Sequence, residues 1–125
     1  GHWWDKPSEF PPKKQTIPKT LDWDLWLGPA KNRNYNKVYV PKSWRGFFDF
    51  GNGQLGDWSC HTLDAPFWAL NLGMPSSVFG NVPDPRTQEN FVADKSTVEF
   101  TFPANNDRKS VKLKWYEGGF KPKFW

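Results

Sequence analysis

The sequence contains a single cysteine, Cys60, which excludes an internal disulfide. With only two histidines in the chain, no Cys/His grouping offers the three or four ligands of a zinc site. No apolar run approaches the about 20 residues of a membrane-spanning helix, so we expect no membrane partner. The 17 Lys and Arg residues form no long run. Their spread indicates a solvated surface and argues against a nucleic-acid partner, although the formal charge is +4.

Aromatic residues, by contrast, are abundant. They make up 18% of the 125 residues, with nine Trp and eleven Phe, while all hydrophobic residues together reach only 37%. Each buried aromatic side chain removes a large area from water, so even a chain with few aliphatic residues can bury a core. The length predicts one small domain or a part of a larger one.

The segment 51–64, Gly-Asn-Gly-Gln-Leu-Gly-Asp-Trp-Ser-Cys-His-Thr-Leu-Asp, is the centre of the functional prediction. Its apolar periodicity runs to Leu72, where Gly73 and Pro75 supply the usual signals of a helix end. We therefore expect one long helix over about 54–72.

Two faces of this predicted helix differ in chemistry. Asp57, His61 and Asp64 have i, i+4 and i+7 spacing and would share one face. The other side would carry the apolar residues that reach the core: Leu55, Trp58, Leu63, Phe67 and Leu70. A polar stripe with two carboxylates and a histidine is a candidate site.

Residues 51–56 match G-x-G-x-x-G, the pattern of dinucleotide-binding loops. That pattern requires a buried strand before it and an acidic residue about 20 residues further on. Residues 44–50 do not read as such a strand, and there is no acid around residues 76–77. We interpret the glycines as permitting a tight turn and close backbone approach at the start of the helix.

Elsewhere the chain reads as short elements. The proline-rich residues 1–20 predict an irregular, extended segment. Residues 21–27, Leu-Asp-Trp-Asp-Leu-Trp-Leu, predict a short helix with Thr20 or Asp22 as N-cap. Residues 38–40 predict a short strand that Pro41 ends.

After the central helix the hydrophobic period changes to two. Residues 77–82, 97–102 and 111–116 predict strands, and Asn105-Asn106-Asp107 predicts a hairpin turn between the last two. The predicted fold class is therefore α+β: a mostly antiparallel sheet covered on one face by the long helix 54–72.

Four ordered stretches carry a family resemblance: residues 21–30, 44–53, 55–61 and 115–119. They resemble the C-terminal domain of the glucose–fructose oxidoreductase, inositol dehydrogenase and MocA family, over nearly the whole chain. The resemblance implies that residues 1–125 are part of a substrate-binding domain that forms homo-oligomers through its sheet. It also implies that the N-terminal Rossmann domain, which holds NAD or NADP, is absent, so this chain alone is expected to bind no cofactor. The branch it resembles is common among secreted bacterial proteins, which suggests a periplasmic or secreted location and leaves a cytoplasmic one open.

The same resemblance assigns roles to residues. Asp57 and His61 match the family's D-x-x-x-H pair, in which the histidine transfers a proton and the aspartate positions it or the sugar hydroxyls. Histidine suits this task because its unperturbed pKa is about 6.5. The residues themselves, apart from the resemblance, make Arg45 a candidate for a forked contact with substrate, with Trp44 and Asp64 as further substrate-binding candidates.

The sequence therefore predicts the substrate domain of an NAD(P)-dependent oxidoreductase that acts on a sugar or polyol-like molecule. Two alternatives stay open: an NAD-dependent glycoside hydrolase on the same scaffold, and a non-catalytic carbohydrate-binding module. A binding module would present aromatic residues in a row on one sheet face. The two clearest predicted strands carry Thr, Glu and Lys on their polar face instead, which disfavours that alternative.

Overall fold

The fold was analysed in a computed structural model that describes residues 9–83, 90–93 and 95–124. Its α+β class agrees with the prediction, since short helices precede a three-stranded antiparallel sheet in the described ranges. The elements in chain order are α1 (Trp23–Leu27), a 3-10 helix (Ser43–Gly46), α2 (Gly53–Thr62), α3 (Asp64–Ala69), β1 (Ser77–Asn81), β2 (Thr97–Phe102) and β3 (Val111–Tyr116). None of the helices in these ranges is long and apolar enough to cross a membrane.

The prediction of one long helix over 54–72 is wrong, because the chain forms α2 and α3 with a break at Leu63. Pro66 supplies the physical reason. In an uninterrupted helix it would leave the Thr62 carbonyl without its N–H partner and its ring would collide with that carbonyl. A new helix that begins at Asp64 puts Pro66 in the first turn, where backbone N–H groups have no intrahelical partner in any case. The predicted polar stripe is consequently divided between two helices.

The short N-terminal helix is confirmed. Asp22 is its N-cap, and the carboxylate accepts a hydrogen bond from the Leu25 backbone N–H at 3.0 Å. The predicted strand over 38–40 is wrong, because these residues form a turn in which the Tyr39 N–H donates to the Asn36 carbonyl. Tyr39 is completely buried, so its apolar neighbours mark a core turn and not a strand.

The strands are placed as predicted, except that β1 ends one residue earlier than expected. Their order is β1-β2-β3, with antiparallel pairs such as Phe100 opposite Leu113. The hairpin between β2 and β3 is also confirmed. Its turn is closed by Asn105, whose side-chain oxygen accepts from the backbone N–H groups of Asp107 and Arg108 at 2.9 and 3.0 Å.

Arg108 joins this hairpin to the end of α3. Its guanidinium donates to the carbonyls of Leu70 at 2.6 Å and Leu72 at 2.8 Å, and to that of Pro103 at 2.8 Å. Carbonyls at a helix C-terminus lack intrahelical partners, so an arginine is well suited to satisfy them. The apolar sheet face is therefore bordered by α3 and the residues after it, with an apolar cleft of about 190 Å³ remaining between them.

The core lies away from the predicted helix stripe. Among the described residues, the main cluster of buried side chains comes from the first half of the chain: Trp23, Leu27, Tyr35, Tyr39 and Phe47. Leu55 and Trp58 are only half-buried, and Phe67 and Leu70 are exposed. The prediction that the apolar side of the helix 54–72 reaches the core is thus wrong. The chain forms two short helices with a break at Leu63, and these do not bury that side together.

Glu99 lies on the polar face of the sheet between two lysines of β3. Its carboxylate oxygens are 2.9 Å from the Lys112 ammonium and 2.8 Å from that of Lys114. Hydrogen bonds from these two lysines lower the pKa of Glu99 from 4.5 to about 2. A carboxyl group with a lowered pKa in the folded state stabilises the fold above its unfolded pKa. That contribution is lost as the pH falls through the folded value.

We therefore expect the Glu99 contribution to disappear between about pH 4.5 and pH 2. Glu99→Gln should lower the melting temperature at neutral pH, and the difference from the wild type should vanish near pH 2. Circular dichroism melts at stepwise pH check this. Glu9→Gln is the control, since Glu9 is an exposed residue whose carboxylate lies 3.7 Å from the Lys13 ammonium. Identical pH profiles for the wild type and Glu99→Gln would contradict the prediction.

Candidate functional site

A cleft of about 200 Å³ lies where the 3-10 helix meets the start of α2. Residues of both elements and of the loop between them line it: Trp44, Arg45, Phe50, Gly51, Asn52, Gly53, Gly56 and Asp57. We call it the Arg45 cleft. It contains three of the five residues that the sequence singled out, namely Trp44, Arg45 and Asp57.

Glycine brings the two walls of the Arg45 cleft together. A Cβ on Gly51 would stand 2.7 Å from the Cα of Arg45, so the two backbones touch only because Gly51 has no side chain. Gly53 has a φ of 68°, and a Cβ there would lie 2.8 Å from Val92. The interpretation of these glycines as a tight turn with close backbone approach is confirmed.

The residues do not fit a dinucleotide at this loop. Residues 44–50, directly before Gly51, form a 3-10 helix and turns with an isolated bridge at Phe47, and not a buried strand that a phosphate loop would follow. The described sheet is antiparallel throughout, so it offers no βαβ unit. The close approaches of Gly51 to Arg45 and of Gly53 to Val92 explain these glycines without a bound nucleotide.

Arg45 and Asp57 form an ion pair inside the Arg45 cleft, with Arg45 Nε 3.1 Å from Asp57 Oδ2. The guanidinium carbon lies 4.4 Å from the centre of the Trp44 ring, and Nη1 donates to the Lys42 carbonyl at 3.3 Å. Both charged side chains remain about 30% exposed, so the pair adds little to stability. Its fixed geometry nevertheless presents a planar donor group and a carboxylate to the cleft.

His61 lies on α2 one turn after Asp57, as the spacing predicted, and its side chain is exposed. The His61 and Trp58 rings pack edge to face, with their centres 5.7 Å apart. Within the described ranges no hydrogen bond joins Asp57 to His61, because the Asp57 carboxylate turns toward Arg45. His61 stands on the same helix as the cleft wall but does not line the cleft.

Asp64 is separated from this group. It is the first residue of α3, beyond the break at Leu63, and it is exposed. It borders a different depression together with Ser59, Cys60 and Phe67. The structure therefore brings Trp44, Arg45 and Asp57 together, with His61 one turn away, and leaves Asp64 apart.

A second cleft of about 440 Å³ escaped the sequence analysis. It is lined by Trp26, Leu27, Pro29, Ala30, Trp44, Asp49 and Phe50, and we call it the Trp26 cleft. Its carboxylate, Asp49, pairs with Arg33, which lies 16 residues earlier in a loop. No spacing rule connects two loop residues that far apart. The only signal was the position of Asp49 inside the stretch 44–53.

No group of three His, Cys, Asp or Glu residues that could hold a metal ion occurs in the described part of the chain.

Comparison with protein-family models gives a match over residues 2–111. The matching family is described as the oxidoreductase family of glucose–fructose oxidoreductase, inositol dehydrogenase and MocA, C-terminal alpha/beta domain. A comparison with curated proteins gave no match.

Proposed function

The chain belongs to the glucose–fructose oxidoreductase, inositol dehydrogenase and MocA family as its C-terminal alpha/beta domain, and we propose that it binds the substrate of an NAD(P)-dependent oxidoreductase. The proposed substrate is a sugar or a polyol-like molecule. In this family the nucleotide is held by the Rossmann domain and not by this domain.

The observation that carries the proposal is the ion pair between Arg45 and Asp57, stacked on Trp44 in the Arg45 cleft. Sugar hydroxyls both donate and accept hydrogen bonds. A guanidinium can only donate and a carboxylate can only accept, so together they orient neighbouring hydroxyls. The aromatic ring beside them offers an apolar surface to the C–H groups of a sugar ring.

His61 is proposed as the proton-transfer residue. Oxidation of a carbinol to a carbonyl needs a hydride acceptor for the carbon-bound hydrogen, which the nucleotide held by the Rossmann domain would supply, and a base for the hydroxyl proton. The imidazole is that base. His61 is exposed, so the imidazole can pass that proton on to solvent. It stands one turn after Asp57 on α2. Asp57 has the positioning role: fixed by Arg45, it holds the substrate hydroxyl next to the imidazole.

Arg45→Lys tests the binding role. A lysine keeps the charge and can still pair with Asp57, but it loses the planar fork and the stacking on Trp44. We therefore expect KM to rise about 10- to 100-fold while kcat changes much less. Steady-state kinetics of the chain together with the family's nucleotide-binding domain measure both constants. Lys42→Gln removes an exposed cation three residues earlier and serves as the control. An unchanged KM for Arg45→Lys would show that this cleft does not hold the substrate.

A further inference from the structure

The Arg45 cleft and the Trp26 cleft are neighbours, because Trp44 and Phe50 line both of them. Small-molecule sites usually enclose about 300–1,000 Å³. The Arg45 cleft, at about 200 Å³, lies below that range, and the Trp26 cleft, at about 440 Å³, lies within it. A ligand confined to the Arg45 cleft would leave the larger space beside it empty.

Asp49 contributes a carboxylate to the Trp26 cleft, and Arg33 holds this carboxylate in position. Its carboxylate pairs with Arg33, whose side chain is only 12% exposed. The Arg33 guanidinium carbon lies 5.0 Å from the centre of the Phe50 ring and 5.9 Å from that of Tyr39. A cation held among aromatic rings needs its counter-ion, so Asp49 is anchored at the cleft.

The Asp49 side chain nevertheless stays 48% exposed, which leaves the carboxylate able to accept hydrogen bonds from a ligand. Arg33 uses one side of Asp49, and solvent or a ligand reaches the other.

The aromatic walls are also held in place. Trp26 stacks on Trp23 with ring centres 4.8 Å apart and an angle of 11° between the planes. Trp44 is covered by the Arg45 guanidinium and its indole N–H donates to the Pro41 carbonyl at 3.1 Å. Rigid aromatic faces beside a carboxylate match a sugar ring, which has apolar C–H faces and a rim of hydroxyls.

We propose that the substrate is at least a disaccharide, with the reacting sugar in the Arg45 cleft and the second sugar ring in the Trp26 cleft. This inference rests on the proposed function of the Arg45 cleft. Trp44 lies at the junction of the two rings, and Asp49 accepts hydrogen bonds from hydroxyls of the second ring.

The experiment compares binding of single and paired sugars to this chain. Tryptophan fluorescence titrations use glucose, galactose, mannose and xylose, and the disaccharides maltose, cellobiose, lactose and xylobiose. We expect at least one disaccharide to bind about tenfold more tightly than either of its component sugars. In the wild type, NMR should show shifts of the Trp26 indole N–H with that disaccharide and not with the single sugar.

Ala30→Trp places a bulky side chain in the Trp26 cleft and leaves both residues of the Arg33–Asp49 pair unchanged in the sequence. It should lower the affinity of the disaccharide to that of the single sugar. Ala104→Trp, in the exposed loop between β2 and β3, is the control and should retain the preference. The NMR measurement uses the wild-type chain, so its result does not depend on whether either variant folds.

Equal affinity for single and paired sugars would overturn the inference and leave the proposed function standing. Failure of every sugar to bind would overturn it as well. A disaccharide preference that Ala30→Trp abolishes supports the inference. Kinetics of His61 variants test the proposed function separately, so the two can fail independently.

Discussion

His61→Asn is expected to lower turnover of the sugar substrate by about 10²–10⁴-fold, the usual contribution of a positioned acid–base group. Asparagine keeps the polarity of an exposed position at the end of α2, so the fold should be retained. Cofactor affinity should stay the same, because the role proposed for the imidazole concerns the reacting hydroxyl and not the nucleotide. The measurement is steady-state turnover of the chain together with the family's nucleotide-binding domain, with circular dichroism as a folding check.

Asp57→Asn should also impair turnover, since an amide no longer pairs with the Arg45 guanidinium and no longer fixes a substrate hydroxyl as a carboxylate does. Thr62→Asn is the matched control, because it introduces the same side chain next to His61 at another exposed position of α2. If His61→Asn were folded and turned over substrate at nearly the rate of the Thr62→Asn control, His61 would be a surface residue of α2 without a catalytic role.

Phe47→Ala is expected to cost about 3–5 kcal/mol of unfolding free energy, the range for truncating a buried aromatic residue. Phe47 is 1% exposed. The centre of its ring lies 4.7 Å from the centre of the Tyr39 ring and 5.1 Å from that of the Phe91 ring. Alanine would leave a cavity among rings that are held by distant parts of the chain. Urea unfolding followed by tryptophan fluorescence measures the loss.

Trp68→Ala is the control for this measurement. Trp68 is an even larger aromatic residue, but it lies on α3 and is 82% exposed, so its removal should change the unfolding free energy by less than about 0.5 kcal/mol. The two variants compare a buried aromatic residue with an exposed one. A larger loss of unfolding free energy for Trp68→Ala than for Phe47→Ala would contradict the placement of the core around Phe47.

The sequence by itself determined the elements that depend on neighbours along the chain. The strands β2 and β3 follow from strict alternation over residues 97–102 and 111–116, because successive side chains of a strand point to opposite faces. The Asn105 turn and the Asp22 cap are local hydrogen bonds between groups two or three residues apart. The position of Asp57 one turn before His61 on α2 is local in the same way.

The helix break shows where periodicity misleads. The apolar repeat continues through residues 54–72, while Pro66 removes one backbone donor and adds a steric conflict within one turn. Periodicity indicates which side a residue would face if the helix continued. It carries no information on whether the backbone can continue, and here the local conflict at Pro66 decides.

Only the tertiary structure decided which side chains meet. The core joins Trp23, Tyr39 and Phe47, and aromatic residues that will be buried cannot be distinguished by type from those, such as Trp68, that remain exposed. The partner of Asp57 is Arg45, 12 residues earlier, and not His61 one turn later. Helical spacing brings Asp57 and His61 to one face. The close packing of Gly51 against Arg45 places a guanidinium within 3.1 Å of the carboxylate, and a charge-assisted hydrogen bond then forms there.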